Sequence, residues 1–447
     1  MWGCASSAYQ IEGAPLHDGA GPSIWQRFVH TPGHVYGGAT GDVACDHYHR
    51  VKQYCALMRA IGIKAYRFST SWSRILPQGR GAPNQAGLDF YERLIEQLLE
   101  YDIALLLTLY HWDLPQALGD RGGWLNADCA NWFADYAHRM FCKFDGWVQS
   151  WITLNEPWVI VDGGHVHGTL ALGHCNVLEA PVAAHHLLCA HGRAVQVYRA
   201  DGKHQIGIAV NLEPTYPASS APDDLAACIL ADAYMNRQYL EPIFLKRDPS
   251  QMQQIYGSVW RDWPQSDADL IGQPLDFLGI NYYTRSVCRH ATRSQSGAGL
   301  DAWSMPVASV RQRHARHTAM GWEIYPQGLL DTLLDVTQRY GPLPLYVMEN
   351  GAAFDEPADA RGLAVHDAQR IAYLASYIAA LRTALECGVD VRGYMVWSLL
   401  DNFEWAHGYS KRFGLVHVNF DTLQRTPKDS AWFYAKLIGR NGGYFNV

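Results

Sequence analysis

Two glutamates interrupt otherwise apolar or aromatic stretches of the chain: Glu156 in Trp-Ile-Thr-Leu-Asn-Glu-Pro and Glu349 in Leu-Tyr-Val-Met-Glu-Asn-Gly. A single carboxylate at the end of a strand can simply cap a following helix or pair with an arginine. Two of them aimed at one mouth point to a different chemistry. Facing carboxyls suit cleavage of a glycosidic bond, in which one protonates the departing oxygen while the other attacks the anomeric carbon or activates water. The chain also holds 16 Trp and 25 Tyr. Such flat, amphipathic side chains suit a large core, and they equally suit a pocket that stacks on sugar rings.

Residues so far apart in sequence need a scaffold that brings them together. Short apolar runs at 2–6, 65–69, 103–110, 151–155, 205–211, 275–283, 343–349 and 391–398 read as strands buried on both faces. Amphipathic stretches such as 87–101, 132–144 and 367–387 lie between them, the last with Asp367 as a candidate N-cap and Gly388 as its stop. Alternating strand and helix implies a parallel sheet, and eight such units imply closure into a single (β/α)8 TIM barrel with long βα loops, spanning residues 1–447 as one domain. Most runs end in residues capable of binding or chemistry: Gln10 shortly after the first, Arg67 in the second, His111-Trp112 after the third, Asn155-Glu156 after the fourth. Asn281-Tyr-Tyr283, Glu349-Asn350 and Trp397-Ser398 end the sixth, seventh and eighth. In a barrel those ends share one mouth, where an active site is expected.

Composition narrows the classes further. The 447 residues carry 36 basic and 43 acidic side chains, a net charge of −7, which argues against a nucleic-acid partner. At 48% apolar and 18% charged, the chain can bury a large core. No apolar run approaches a membrane span, and Met-Trp-Gly-Cys-Ala-Ser-Ser lacks the basic and apolar regions of a signal peptide, so the expectation is a cytoplasmic protein. Ten scattered cysteines without a C-x-x-C pair read as mostly buried free thiols.

The ordered motifs Trp2-Gly-Cys-Ala-Ser-Ser-Ala-Tyr-Gln10, Arg67-Phe-Ser-Thr-Ser-Trp-Ser-Arg74, Tyr110-His-Trp-Asp-Leu-Pro-Gln116, Asn155-Glu-Pro157, Glu349-Asn-Gly351 and Trp397-Ser-Leu-Leu-Asp-Asn-Phe-Glu-Trp405 resemble glycoside hydrolase family 1, and within it the β-glucosidases. The resemblance runs from about Trp2 to Trp432. It implies Glu156 as acid/base and Glu349 as nucleophile of a retaining enzyme, with carboxyls ~5–5.5 Å apart. It further implies Arg67 and Tyr283 as partners of Glu349, Asn155 on the sugar 2-hydroxyl and Asn281 in support. Gln10, His111, Trp112, Glu404, Trp405 and Phe413 would complete the sugar site over a floor of Trp397. The expected substrate is a small β-glucoside or short cello-oligosaccharide, with β-galactosides or β-fucosides also accepted and transglycosylation open to the same intermediate. No cofactor and no metal are implied, and monomer and homo-oligomer remain equally open.

Three features refine that reading. Relatives that act on 6-phosphosugars replace the Glu-Trp pair, whereas Glu404-Trp405 is intact here, which favours an unphosphorylated sugar. Glu156 separates the chain from thioglucosidases of the family, which carry Gln at that position. A catalytically silent sugar-binding relative would generally lack one catalytic glutamate, and both are present. The segment 164–173 departs from the family pattern, with Leu172 where Pro is often found near the pocket entrance, so the resemblance does not fix aglycone preference or product inhibition. Between Arg285 and His317 six arginines (285, 289, 293, 311, 313, 316) face one acid, Asp301, and read as a solvated loop. Asp46-His-Tyr-His49 and His165-Val-His167 lack further ligands at zinc-like spacing, and the Gly-rich stretch 35–41 lacks the Lys-Ser/Thr of a phosphate loop. His185-His186 and Trp132, Trp147, Trp158 and Trp432 read as packing residues.

Overall fold

Eight parallel strands close on themselves in the computed structural model, which describes residues 1–291, 305–355 and 364–443. They are β1 (Trp2–Ala5), β2 (Ala65–Ser69), β3 (Ala104–Tyr110), β4 (Ser150–Asn155), β5 (Gln205–Asn211), β6 (Phe277–Asn281), β7 (Leu345–Asn350) and β8 (Val391–Trp397). Each strand pairs with its sequence neighbours, and β1 closes the ring by pairing with both β2 and β8. All eight expected runs lie on barrel strands. The sixth is shorter than its apolar run because Tyr282 and Tyr283 leave the ladder, Tyr282 to bond the Tyr325 carbonyl and Tyr283 to reach Glu349.

The helices form where apolar residues recur every three or four positions. In α3 (Asp128–Phe144), after α1 (Val51–Ile61) and α2 (Gln85–Glu100), the buried face is built from Cys129, Phe133, Tyr136, Met140 and Phe144. Gly62 closes α1 in the left-handed conformation at φ 81°, which costs a glycine little. The helix Ala368–Glu386 begins after Asp367, as expected, but Asp367 makes no side-chain cap. Its carboxylate instead accepts from Ser430 and from the Arg370 guanidinium, tying this helix to the C-terminal one at Asp429–Gly439.

Side chains alternate across the barrel wall. On β3, Leu105, Leu107 and Leu109 pack outward against the helices, while Leu106 joins Ala65, Ile152, Ala209 and Phe277 inside. The alternation breaks on the two strands that carry the glutamates. The β4–β5 register shifts between Ile152 and Asn155, and the β6–β7 register shifts between Val347 and Glu349. Irregularities of this kind re-aim side chains. Met348 stays inside the barrel, so strict alternation would have sent Glu349 out into the wall.

Several packing expectations meet the structure directly. All ten cysteines are free, but Cys142, Cys175 and Cys387 are exposed. Trp132, Trp147 and Trp158 pack against the core, whereas Trp432, expected as a packing residue, is exposed. Arg285 is not a solvated charge, since it pairs with Glu323 and lies over the Tyr325 ring; Arg289, Arg311, Arg313 and Arg316 are exposed, and Arg293 and Asp301 lie outside the described residues. Among the described residues no helix is long and apolar enough to cross a membrane.

Gly351, directly after Glu349-Asn350, shows how tightly β7 and β8 meet at the mouth. A Cβ there would stand 1.8 Å from the Trp397 carbonyl oxygen. Gly351→Ala is therefore expected to destabilise the protein by about 1–3 kcal/mol and to lower turnover, read as a fall in thermal midpoint together with kcat.

Candidate active site

At the C-terminal end of the barrel, Arg67 reaches from the middle of β2 into the mouth. Its Nη1 donates to Glu349 Oε1, its Nη2 to Asn155 Oδ1 at 2.6 Å and its Nε to Thr108 at 3.0 Å. The guanidinium is fully buried, and each of its three nitrogens donates to one of these partners. Tyr283 donates its hydroxyl to Glu349 Oε2 at 2.6 Å, so each oxygen of this carboxylate accepts from a different donor.

Glu156 is held differently. Its backbone is left-handed at φ 50°, a costly conformation for a residue with a side chain, and Pro157 starts the short helix Pro157–Val161 immediately after it. Trp112 and Trp405, also at the mouth, have positive φ as well (78° and 50°). Strained backbone of this kind gathers at functional sites. The only hydrogen-bond donor to the Glu156 carboxylate among the described residues is the Asn281 amide, 2.8 Å from Oε1. Asn281 also donates to Asn155 Oδ1 at 3.0 Å.

This asymmetry orders the protons. Burial raises both carboxyls, and for Glu349 Arg67, Tyr283 and Asn281 pull in the opposite direction. Burial first, and then the neighbouring Glu349 charge, push Glu156 up to about 8. The pair titrates as a unit whose first proton leaves Glu349.

The remaining expected residues join the same buried cluster. Gln10 donates through Nε2 to Glu404 at 3.3 Å, to Asn402 at 3.2 Å and to the Phe403 carbonyl at 2.9 Å. Burial and the charge of Glu349 push Glu404 up to about 8, against the Gln10 amide, which favours its ionised form. His111 is buried and held neutral, its Nε2 accepting from the Asn155 amide at 3.1 Å. The His111 ring runs nearly parallel to Trp397 (5.9 Å, 17°) and Trp405 (6.0 Å, 20°). Trp112 donates its indole N–H to the Asn155 carbonyl at 3.1 Å and packs on Trp405. Phe413 meets the edge of Tyr283 beside Trp397 in the barrel interior.

Every site residue expected from the sequence thus falls in one connected cluster. Two members were not anticipated. Trp322 stacks obliquely on Tyr283 (5.1 Å) and Phe413 (6.1 Å), and Asn402 bridges Gln10 to Ser398. Trp322 belongs to no strand. Its only signal was an aromatic run, Trp-Glu-Ile-Tyr-Pro, after Gly321, whose φ of 82° makes the turn.

A closed parallel barrel with two buried carboxyls, unlike in their partners, beside a polar pocket floored by aromatics defines the class of (β/α)8 glycoside hydrolases. Residues 1–443 match the description of Glycosyl hydrolase family 1, and the chain belongs to that family. It is 45% identical to Beta-glucosidase A of Acetivibrio thermocellus, over 99% of this chain and 98% of the relative. It is likewise 45% identical to the 1,4-beta-D-glucan glucohydrolase of Thermotoga neapolitana, over 99% and 98%. The solved family 1 β-glucosidase of Thermotoga maritima superposes with a TM-score of 0.95 at 44% identity, covering 100% of this chain and 98% of that one.

Because Glu349 is one of the two main reasons that Glu156 holds its proton, replacing it has a signed consequence. Glu349→Gln removes a negative neighbour, so Glu156 is expected to ionise well below about 8. Carboxyl carbon NMR of glutamate-labelled protein reads that shift directly.

Proposed function

We propose that the chain is a retaining exo-β-glucosidase that releases terminal glucose from aryl β-glucosides and short β-linked oligosaccharides. The observation that carries the reading is the asymmetry of the two carboxyls: Glu349 is gripped by Arg67 and Tyr283, while Glu156 has one amide donor and keeps its proton at neutral pH.

In this mechanism Glu349 Oε attacks the anomeric carbon. The bond to the aglycone oxygen breaks, and that oxygen takes the Glu156 proton. Loss of the Glu349 charge into the ester lowers the barrier to ionising Glu156, now a carboxylate ready to act as base. It takes a proton from water, which displaces Glu349 and yields glucose with its configuration retained. A second sugar in place of water gives transglycosylation. Asn155, fixed by Arg67 and Asn281, meets the 2-hydroxyl as charge develops at the neighbouring carbon.

The Gln10–Glu404 pair closes the deep end of the pocket and reads hydroxyls farther from the reacting carbon. Its geometry suits a terminal sugar and accommodates a 4-hydroxyl of either orientation, so galactosides and fucosides are secondary substrates. Among the described residues, the cations that follow Glu404 in sequence are engaged elsewhere, Lys411 with the Ala319 carbonyl at 2.8 Å and Arg412 with Asp401 at 3.0 Å, which weighs against a phosphate there.

Initial rates on p-nitrophenyl β-glucoside, β-galactoside, β-fucoside and 6-phospho-β-glucoside test the reading. Turnover of the neutral sugars without the phosphorylated one is expected, and preference for the phosphosugar would reject the pocket assignment. Activity should fall as pH rises through the range near 8, where Glu156 loses its proton, and fall again in acid as Glu349 gains one. Glu156→Ala should remove that alkaline limb and cut turnover of alkyl glucosides far more than of activated aryl ones. Equal losses on both would reject Glu156 as the proton donor, and full activity of Glu349→Gly would reject the nucleophile.

A further inference from the structure

The histidines of the segment that follows β4 fall into an arrangement the hydrolysis does not use. His165 and His167, two positions apart in sequence, diverge in the fold. His167 turns its Nε2 to 3.5 Å from Asp162, and His165 turns inward, where it is fully buried. There its Nδ1 lies 2.9 Å from Glu179 Oε2, and His174 brings its own Nδ1 to 2.8 Å from that same oxygen.

Two imidazole nitrogens and one carboxylate oxygen therefore converge on a single point, all within 4.8 Å of one another. The two rings stand at 90°, directing their edges inward rather than stacking. The other ring nitrogen of His165 has no partner among the described residues, so its only polar outlet faces Glu179. The Asn176 amide holds Glu179 Oε1 at 3.3 Å, and the Asn176 N–H bonds the His165 carbonyl at 2.7 Å, which fixes the loop around the cluster. The only charge partners of Glu179 among the described residues are the two histidines, so no fixed cation competes for the position.

We propose that His165, His174 and Glu179 form a binding site for a divalent transition-metal cation, of which zinc is the best match. Two imidazoles and a carboxylate are a zinc-type donor set, and three protein ligands leave one position for water. Ligand atoms ~2.0–2.2 Å from a tetrahedral zinc stand ~3.4 Å apart, so the observed contacts need open by only about half an ångström. A second trio, His185, Cys189 and Asp267, is less suited. Arg261 and Arg193 bear on it, and His185 is committed to a face-to-face stack on Trp263 at 3.5 Å.

The site would act on the rim of the pocket. Gly173, beside His174, packs on Phe28 and His34; Phe28 packs on Trp25, and Trp25 on Trp405 of the sugar site. A cation joining positions 165, 174 and 179 would pin this rim from outside the reacting centre.

The test titrates chelator-stripped, full-length protein with zinc chloride, followed by isothermal calorimetry and thermal melting. One tightly bound equivalent and a raised melting temperature are expected. Both should be lost in His174→Ala and in Glu179→Gln, with metal-free kcat on p-nitrophenyl β-glucoside unchanged, which also shows that the variants fold. Both should persist in Cys189→Ser. Absence of the equivalent in the unmodified protein, its survival in both loop variants, or its loss in Cys189→Ser would overturn the assignment.

Discussion

The buried contact between Arg67 and Glu349 is the constraint around which the rest of the pocket is arranged. Three carboxyls, Glu156, Glu349 and Glu404, are buried close enough to feel one another's charge, and one guanidinium is hydrogen-bonded to only one of them. In such surroundings a charge is tolerated only when it is paired and its remaining lone pairs are satisfied. Glu349 meets that condition through Arg67 and Tyr283. Glu156 and Glu404 do not, and keep their protons at neutral pH. Breaking a buried pair of this kind by removing one partner typically costs ~3–5 kcal/mol. The same bond that divides the protons also anchors the base of the site.

Arg67 does more than neutralise. Its second nitrogen fixes Asn155, whose amide is shared with His111 and whose carbonyl oxygen also accepts from Asn281, the residue that holds Glu156. A continuous hydrogen-bonded chain therefore links strands β2, β4, β6 and β7 across the barrel mouth. Each member constrains the next, so side-chain positions are set before any substrate arrives. Preorganised polar groups in a dry site require little rearrangement during reaction. The strained backbones of Trp112, Glu156 and Trp405 fit the same picture, since the barrel supplies the rigidity that holds them.

The barrel was legible in the sequence because its strands are buried on both faces and so read as plain apolar runs, and because the polar residues collect at one end of them. Glu156 and Glu349 were legible for a related reason: a carboxylate at the end of such a run is conspicuous. Trp322 was not, since it sits in a turn between elements and matters only through the faces of Tyr283 and Phe413. Asp367 marked a helix start correctly, but its carboxylate serves a contact with Ser430, 63 residues away, that no local rule contains.

The sequence by itself determined the order of strands and helices, the family, and the identities of the residues that gather at the mouth, because these follow from periodicity and from motifs of fixed local spacing. Only the tertiary structure decided which carboxyl keeps its proton, since that depends on which guanidinium and which hydroxyl reach it across the barrel. It also decided that Glu349 faces the pocket at all, through a break in strand register that shifts a side chain from wall to lumen. It separated His165 from His167 and set His165 against His174 and Glu179. Electrostatics and coordination depend on distance in space, and a chain of 447 residues folds distant positions into contact in ways that spacing along it does not record.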